Sequence, residues 1–209
     1  MKGREVQGSD DRRRERHTHD DRKREILAAV RELCAAEGVG ALSVSRITER
    51  VGCTRSLFYH YFPDKQAALD EALTDLVEDI VDRLRAWNSS RGTGDIEGSL
   101  ASGAAVLKEL VLGRNDLPLS LASSGDASLY TRLVDQIADR TARYMIESTV
   151  RDYARLHSVR IEHVYETFYV LITGLIMFIK TNPDVPDRVL VDIIASSLHV
   201  KRNTAGHGA

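Results

Sequence analysis

The stretch from Ser43 to Lys65, SVSRITERVGCTRSLFYHYFPDK, constrains the fold more than any other part of the chain. Ser43 has the side chain of a helix N-cap, because its hydroxyl can accept a hydrogen bond from an early backbone N–H. The apolar residues that follow recur at helical spacing and predict one buried face: Val44, Ile47 and Val51. Gly52 stands where a left-handed residue can end that helix. The stretch therefore begins with a short helix and a tight turn.

A second short helix is predicted from Arg55 to Tyr61, with Thr54 as its N-cap. Phe58 and Phe62 lie four residues apart, so both can face the first helix. The side chains left on the outer face are donors and aromatic rings: Arg55, Ser56, Tyr59 and His60. Such groups meet the phosphates and base edges of DNA. The pattern predicts a helix-turn-helix whose second helix enters a major groove.

These residues resemble the TetR family of bacterial transcription regulators. The resemblance lies in the segments ITERVG at 47–52, SLFYHYF at 56–62 and the pair Asp64-Lys65. It covers about a quarter of the chain, from Asp21 to Leu73. The family implies an all-α fold: a three-helix DNA-binding domain with a helix-turn-helix, followed by a larger helical domain for ligand binding and dimerisation. Two residues depart from the family pattern, Cys53 in place of Val or Ile and Ser56 in place of Gly.

Residue types and the resemblance together give candidate DNA contacts. Lys65 opens a new helix, and the resemblance implies that it holds a phosphate with nearby backbone N–H groups. Arg55 is expected to read a base edge or a phosphate, and Tyr59 to meet a phosphate or a base methyl group, unless its ring packs against the first helix. The full candidate set is Ser43, Ser45, Thr54, Arg55, Ser56, Tyr59, His60 and Lys65.

Composition agrees with a helical protein of one large or two small domains. The chain has 209 residues, few prolines and few aromatic residues. Its net charge of -2 does not indicate nucleic-acid binding, but the distribution is uneven. Residues 1–65 hold 14 Lys and Arg against 11 Asp and Glu, whereas the rest holds 15 against 20. A mildly basic N-terminal part and an acidic remainder suit a protein that meets DNA with one end.

The predicted domains are a disordered polar tail at 1–19, the DNA-binding domain at 20–66, a helical domain at 67–201 and a frayed tail at 202–209. The arginines in the first tail leave a second interpretation open, an arm that contacts DNA. The first helix is predicted from Asp20 or Asp21 to about Glu37. Its inward stripe is Ile26, Leu27, Val30, Leu33 and Cys34.

Five further helices and one ambiguous segment are predicted after the helix-turn-helix. A long helix runs from about Lys65 to Trp87 and links the domains. A loop follows at 88–98, where Gly, Ser and Asn cluster. The next helices are predicted at 99–112, at 126–156, at 159–181 and at 187–200, with a possible short helix at 115–123. One chain cannot easily bury both the very apolar helix 159–181 and the seam of helix 187–200. Pairing them with a second copy would give a homodimer with a four-helix bundle.

The resemblance implies a pocket for a small molecule in the C-terminal domain, and its occupancy is expected to reposition the linking helix and release the DNA. The effector itself is not indicated by the sequence. Tyr and Met can form an adaptable wall, and an Arg can hold an anion. The candidate lining residues are Tyr130, Arg140, Arg143, Tyr144, Met145, His163, Tyr169 and Met177. Each can equally be an ordinary core or surface residue.

The favoured function is therefore a homodimeric repressor that a ligand releases from a near-palindromic operator. One alternative keeps the DNA-binding domain but makes the remainder a dimerisation or docking module without an inducer. Another is a helical enzyme, although we find no nucleophile elbow, phosphate-binding Gly loop or H-E-x-x-H spacing. We expect no catalytic residues, metal or cofactor. The two cysteines form no disulfide framework, and Cys53 is either a thiol sensor or a small turn residue.

We expect a cytoplasmic protein without a membrane partner. No apolar segment typical of a signal peptide follows Met1. The longest apolar run, from Phe168 to Ile179, is shorter than the ~20 residues that span a bilayer.

Overall fold

The computed structural model describes residues 7–92, 94–113, 127–155 and 161–200, with side chains from residue 20 onward. These residues form helices and no strand. The helices are α1 (Gln7–Glu37), α2 (Val44–Val51), α3 (Arg55–Tyr61), α4 (Lys65–Ser90), α5 (Ile96–Leu112), α6 (Ala127–Met145), α7 (Arg151–Ala154), α8 (Val164–Thr181) and α9 (Asp187–Ser197). Two compact units are present: the head, Met1–Thr74, and the body, Asp75–Ala209. The chain passes from one to the other within α4, a few residues beyond the predicted boundary at 66.

The first helix is longer than the sequence predicts. α1 begins at Gln7, not at Asp20 or Asp21, so residues 7–19 are helical where a disordered tail is expected. No Gly or Pro interrupts the chain between residues 9 and 37, and Arg and Glu are good helix formers. The predicted end at Glu37 is confirmed, and Gly38 follows with a φ of 81°. The predicted inward stripe is buried throughout: Ile26, Leu27, Val30, Leu33 and Cys34.

The bounds predicted for the helix-turn-helix are confirmed. Ser43 caps α2, because its Oγ accepts a hydrogen bond from the Arg46 N–H at 3.3 Å. Thr54 caps α3 in the same way, with the Leu57 N–H at 3.2 Å. Gly52 ends α2 in the left-handed region, with a φ of 69° and a ψ of 38°. Local side-chain chemistry therefore sets the ends of both helices.

In the body, the connection after α4 is shorter than the predicted loop at 88–98. α4 continues to Ser90, and α5 already begins at Ile96. Asp95 caps α5, since its Oδ1 accepts the Gly98 N–H at 2.9 Å. Gly98 is thus compatible with an early helix start, which the composition alone did not indicate.

The predicted helix at 126–156 is interrupted. After α6, a turn of π-helix occupies Ile146–Val150 and leads directly into α7. α8 begins at Val164, and α9 ends at Ser197, three residues before the predicted end at Val200. The predicted short helix at 115–123, residues 156–160 and the tail at 202–209 lie outside the described residues.

Helix α8 is buried on one side and exposed on the other. Its buried residues are Phe168, Ile172, Leu175, Ile176 and Ile179. Val170 is 69% exposed, and Met177 and Phe178 are also exposed. Among the described helices, α8 alone is long and apolar enough to be a candidate membrane span, which is weak evidence because core helices of soluble proteins share these properties.

We expect Gly52→Ala to destabilise the protein by about 1–2 kcal/mol, because an alanine resists the left-handed conformation. Gly40→Ala is the matched control. An added Cβ meets no atom within 4 Å at either position, but only Gly52 has a positive φ. Urea unfolding at 25 °C measures both. Equal free energies of unfolding for the two variants would contradict the assignment of strain to the turn.

Candidate functional site

The outer face of α3 carries the polar residues that the sequence predicts there. Arg55, Ser56, Tyr59 and His60 are all exposed. Tyr59 is 54% exposed, so its ring is available to a partner and is not buried against α2. The opposite face of α3 holds Phe58, which is fully buried. This arrangement presents hydrogen-bond donors and two aromatic rings on one short helix.

Ser45 holds Arg55 in place. The Arg55 Nη2 donates a hydrogen bond to the Ser45 Oγ at 2.6 Å, and both residues are exposed. This bond joins α2 to α3 across the turn. Ser45 thus positions a guanidinium on the outer face.

Lys65 is also held by a neutral partner. Its Nζ donates to the backbone carbonyl of Leu42 at 3.0 Å. The N-terminus of α4 is capped by Asp64, whose Oδ1 accepts the Ala67 N–H at 2.8 Å. A phosphate at this helix end would therefore meet the Lys65 ammonium beside an existing carboxylate cap.

The other cations of the head for which a partner is described contact acids. These ion pairs are Arg22–Glu25, Lys23–Glu71, Arg24–Asp21, Arg46–Glu37 and Arg50–Glu32. Arg55 and Lys65 differ, since the partners described for them are a hydroxyl and a carbonyl. A neutral partner orients a cation without cancelling its charge. The positive potential of the helix-turn-helix is therefore concentrated at these two residues.

The body contains a cavity of about 500 Å³. Its described walls come from the end of α4, from α5, from the end of α6 with the π turn, from α7, from α8 and from the end of α9. The apolar lining includes Leu84, Trp87, Leu100, Leu107, Met145, Phe168, Leu171, Ile172, Leu175 and Ile194. A space of this size and character suits a small organic ligand.

Polar groups of the cavity lie mostly in one network near the π turn. The Asn88 Oδ1 accepts hydrogen bonds from the Arg91 Nε at 2.7 Å and from the Thr149 Oγ1 at 2.9 Å. Arg91 also pairs with Asp152 at 3.6 Å. Thr141 is separate from this network: it is buried, and its Oγ1 has no hydrogen-bond partner in the structure.

Residues 26–72 match the family described as bacterial regulatory proteins, tetR family. The chain carries a TetR-family N-terminal domain. This assignment confirms the family resemblance, and the match falls on the head, from the buried stripe of α1 into the first turns of α4.

Similar proteins agree with the TetR-family assignment. The HTH-type transcriptional regulator EthR of Mycolicibacterium smegmatis is 34% identical over 67 residues, which are 32% of this chain and 31% of that protein. The match thus spans about a third of that relative's length. A structure from Mesorhizobium loti assigned to the TetR family has a TM-score of 0.65 at 16% identity, covering 87% of this chain and 95% of that one. RolR in complex with resorcinol has a TM-score of 0.56 at 18% identity, covering 88% of both chains. The predicted all-α fold, with its larger helical body, is confirmed.

The structure brings few of the predicted pocket residues to the cavity. Met145 lines it, and Tyr130 lines a neighbouring space of about 60 Å³. The other six lie elsewhere. Arg140 pairs with Glu78, Arg85 lies over the Tyr144 ring, and the Tyr169 hydroxyl donates to Asp135 at 2.5 Å. This expectation is corrected because these side chains project from other sides of their helices.

The remaining three predicted pocket residues are also accounted for. Arg143 contacts Asp139 at 2.9 Å, and together with the Tyr165 hydroxyl it lowers the pKa of Asp139. The Met177 sulfur lies 3.5 Å from the Tyr130 hydroxyl, outside the cavity. His163 is exposed just before α8. All three are exposed residues of the body and do not line the cavity.

The sequence interpretation missed the polar residues that do line the cavity. Asn88 and Arg91 fall in the segment predicted as a loop, and Thr141 and Thr149 carry no motif. Trp87, the chain's only tryptophan, was a usable signal, because a tryptophan ring has a large apolar area that is favourably buried. The π turn brings Thr149 to Asn88, and nothing in the local sequence indicates this turn.

Neither cysteine has the environment of a reactive thiol. Burial raises the pKa of Cys34 to about 11, and burial also raises the pKa of the half-buried Cys53. We therefore expect an aromatic disulfide reagent at pH 8 to label the native protein slowly at Cys53 alone, and faster as pH rises. Cys53→Ser should abolish native labelling. Rapid labelling at pH 7, or labelling of Cys34 before unfolding, would contradict this assignment.

Proposed function

We propose that this chain is a DNA-binding transcription regulator, acting in the cytoplasm as a homodimeric repressor that a small molecule releases from a near-palindromic operator. The observation that carries the proposal is the outer face of the helix-turn-helix. There, Arg55 is oriented by a neutral partner on the same helix as exposed Tyr59 and His60, and Lys65 is oriented by another neutral partner at the start of α4. The TetR-family match to residues 26–72 supports the same conclusion.

Electrostatics supports a division of roles between the two cations. Arg55 projects from α3, the helix expected in the major groove, so it is suited to a base edge or an adjacent phosphate. Lys65 stands at the start of α4, outside the helix expected in the major groove, so it is suited to a phosphate contact. Ser43 and Thr54 accept backbone N–H groups as helix caps and so position the helices, and each hydroxyl keeps an O–H group that can donate to a phosphate.

A homodimer is supported by the exposed side of α8. Val170, Gly174 and Phe178 recur every four residues and share one face, beside Ile193 and Ser197 of α9. An added Cβ on Gly174 would meet no atom within 4 Å, so the face has room for a close approach. A second copy is the partner we propose, because two recognition helices about 34–36 Å apart match a palindromic site.

Effector release is supported by the body cavity, and RolR, which shares the fold, was solved with resorcinol bound. The alternative without an inducer does not use this space. The enzyme alternative gains no support from the described residues, which contain no cluster of three potential metal ligands. We therefore retain the ligand-responsive regulator.

The experiment that tests DNA binding compares salt dependence between variants. On a mixed-sequence 30-base-pair duplex, we expect Lys65→Ala to weaken binding and to reduce the slope of log affinity against log salt concentration by about 0.9 for each bound head. Fluorescence anisotropy from low to moderate salt measures both quantities.

The control is Arg151→Ala, which removes one positive charge from the exposed surface of the body. It should leave the slope unchanged, since that residue is not part of the proposed contact surface. A Lys65→Ala protein with the same affinity as the wild type at every salt concentration would refute the phosphate assignment.

Val170→Asp tests the homodimer. An unpaired carboxylate in the centre of the α8 face would be buried by the partner, at a cost of several kcal/mol. We expect a dimer for the wild type and a monomer for this variant at about 10 µM protein, by analytical ultracentrifugation. Ala101→Asp adds the same charge at an exposed position of α5 and should remain dimeric. A dimeric Val170→Asp protein would place the interface elsewhere.

A further inference from the structure

We infer that the body cavity binds an uncharged, mainly apolar molecule that carries a hydroxyl or carbonyl group, and that Thr141 is its polar contact. The inference rests on the proposed role of the cavity as the effector site and names the chemical class of the effector. It depends on two observations: the unsatisfied hydroxyl of Thr141, and the pairing of the charged groups around the cavity.

Thr141 is a buried hydroxyl without a partner. The residue is 7% exposed, and its Oγ1 makes no hydrogen bond in the structure. An unsatisfied buried hydroxyl is costly, so one that persists needs a reason. Thr141 lines both the cavity and the neighbouring 60 Å³ space, at the junction of the two. A ligand oxygen in the cavity would satisfy it, as donor or as acceptor.

The charged side chains of the described lining already have partners. Arg91 contacts Asp152 at 3.6 Å, and Arg155 contacts the same carboxylate at 3.7 Å. Arg91 also bonds Asn88 and lies over the Trp87 ring. Asp95 accepts the Gly98 N–H as the cap of α5. An anionic ligand would have to compete with Asp152 for Arg91, and a cationic ligand would have to share the Asp95 carboxylate with the cap of α5.

Most of the remaining lining is apolar, although Ser99, Thr149 and His199 also line the cavity, so a charged ligand group would lose much of its hydration. The walls combine aliphatic residues with the rings of Trp87, Tyr153 and Phe168. A hydrocarbon frame fits these walls, and one oxygen completes the polar requirement. The geometry therefore favours neutral alcohols, phenols and ketones over carboxylates and amines.

Three probes with one hydrocarbon chain test the charge preference: 1-octanol, octanoate and octyltrimethylammonium, at pH 8. Trp87 lines the cavity and is the chain's only tryptophan, so its fluorescence reports occupancy directly. We expect saturable binding of 1-octanol, with each charged probe at least about 10-fold weaker. Octanoate binding more tightly than 1-octanol would overturn the inference, as would the absence of a saturable change with 1-octanol.

Thr141→Val tests the polar contact, because valine keeps the shape and removes the hydroxyl. We expect affinity for 1-octanol to fall by about 3- to 10-fold, the loss of one hydrogen bond. The unliganded variant should be equally or more stable, since an unsatisfied buried hydroxyl is gone. Thr173→Val is the matched control, as its Oγ1 is also buried and unpartnered but Thr173 does not line the cavity. Unchanged 1-octanol affinity in Thr141→Val would remove Thr141 from the site.

These titrations contain no DNA, so they separate the ligand class from the proposed regulation. Repeating the DNA titration with saturating 1-octanol then tests the regulation alone. Octanol that binds the chain without weakening DNA binding would support the ligand class and contradict release by an effector. Loss of DNA binding in a head variant would leave the octanol affinity unchanged.

Discussion

The burial of Phe58 and Phe62 is the constraint on which the function of the head depends. Both rings are inaccessible to solvent and lie 5.7 Å apart between centroids. They fix the rotation of α3, so the side chains at 55, 56, 59 and 60 must face outward. Gly52 sets the direction in which α3 leaves α2. The surface that we propose to face DNA is thus a consequence of apolar packing on the opposite side of a seven-residue helix.

The cations of the head for which a partner is described form two groups, those paired with acids and those held by neutral groups. The ion-paired cations contribute little net potential, and two of these pairs join helices: Lys23–Glu71 joins α1 to α4, and Arg46–Glu37 joins α2 to α1. Arg55 and Lys65 instead use a hydroxyl and a carbonyl as supports. Their charges remain available to phosphate, and the cost of ordering two long side chains has already been met before DNA arrives. The proposed DNA-binding surface is therefore compatible with a net charge of -2.

The sequence predicts the head better than the body, and the physical reason is the range of the interactions. Caps such as Ser43 and Thr54, the left-handed Gly52 and the Phe58–Phe62 pair act within four residues, so their pattern is readable locally. The cavity depends on which sides of α4, α5, α6 and α8 meet. All four of Tyr130, Met145, Arg140 and Tyr169 were predicted to line a pocket. The structure brings only Tyr130 and Met145 to the cavity or its neighbouring space, because helical spacing does not determine which other helix a given side will contact. The π turn shifts Thr149 toward Asn88, and the unbroken stretch at 7–37 lengthens α1. Neither follows from residue types alone.

The central claim is that the chain binds DNA as a homodimer, in which the outer face of α3 of each copy contacts one half-site. Selection of bound duplexes from a random-sequence pool by the full chain tests it most directly. The account predicts enrichment of a near-palindromic site whose half-sites lie about one helical turn, ~34–36 Å, apart, with affinity that falls steeply as salt increases. A pool that shows no enrichment, with only weak binding even at low salt, would contradict it.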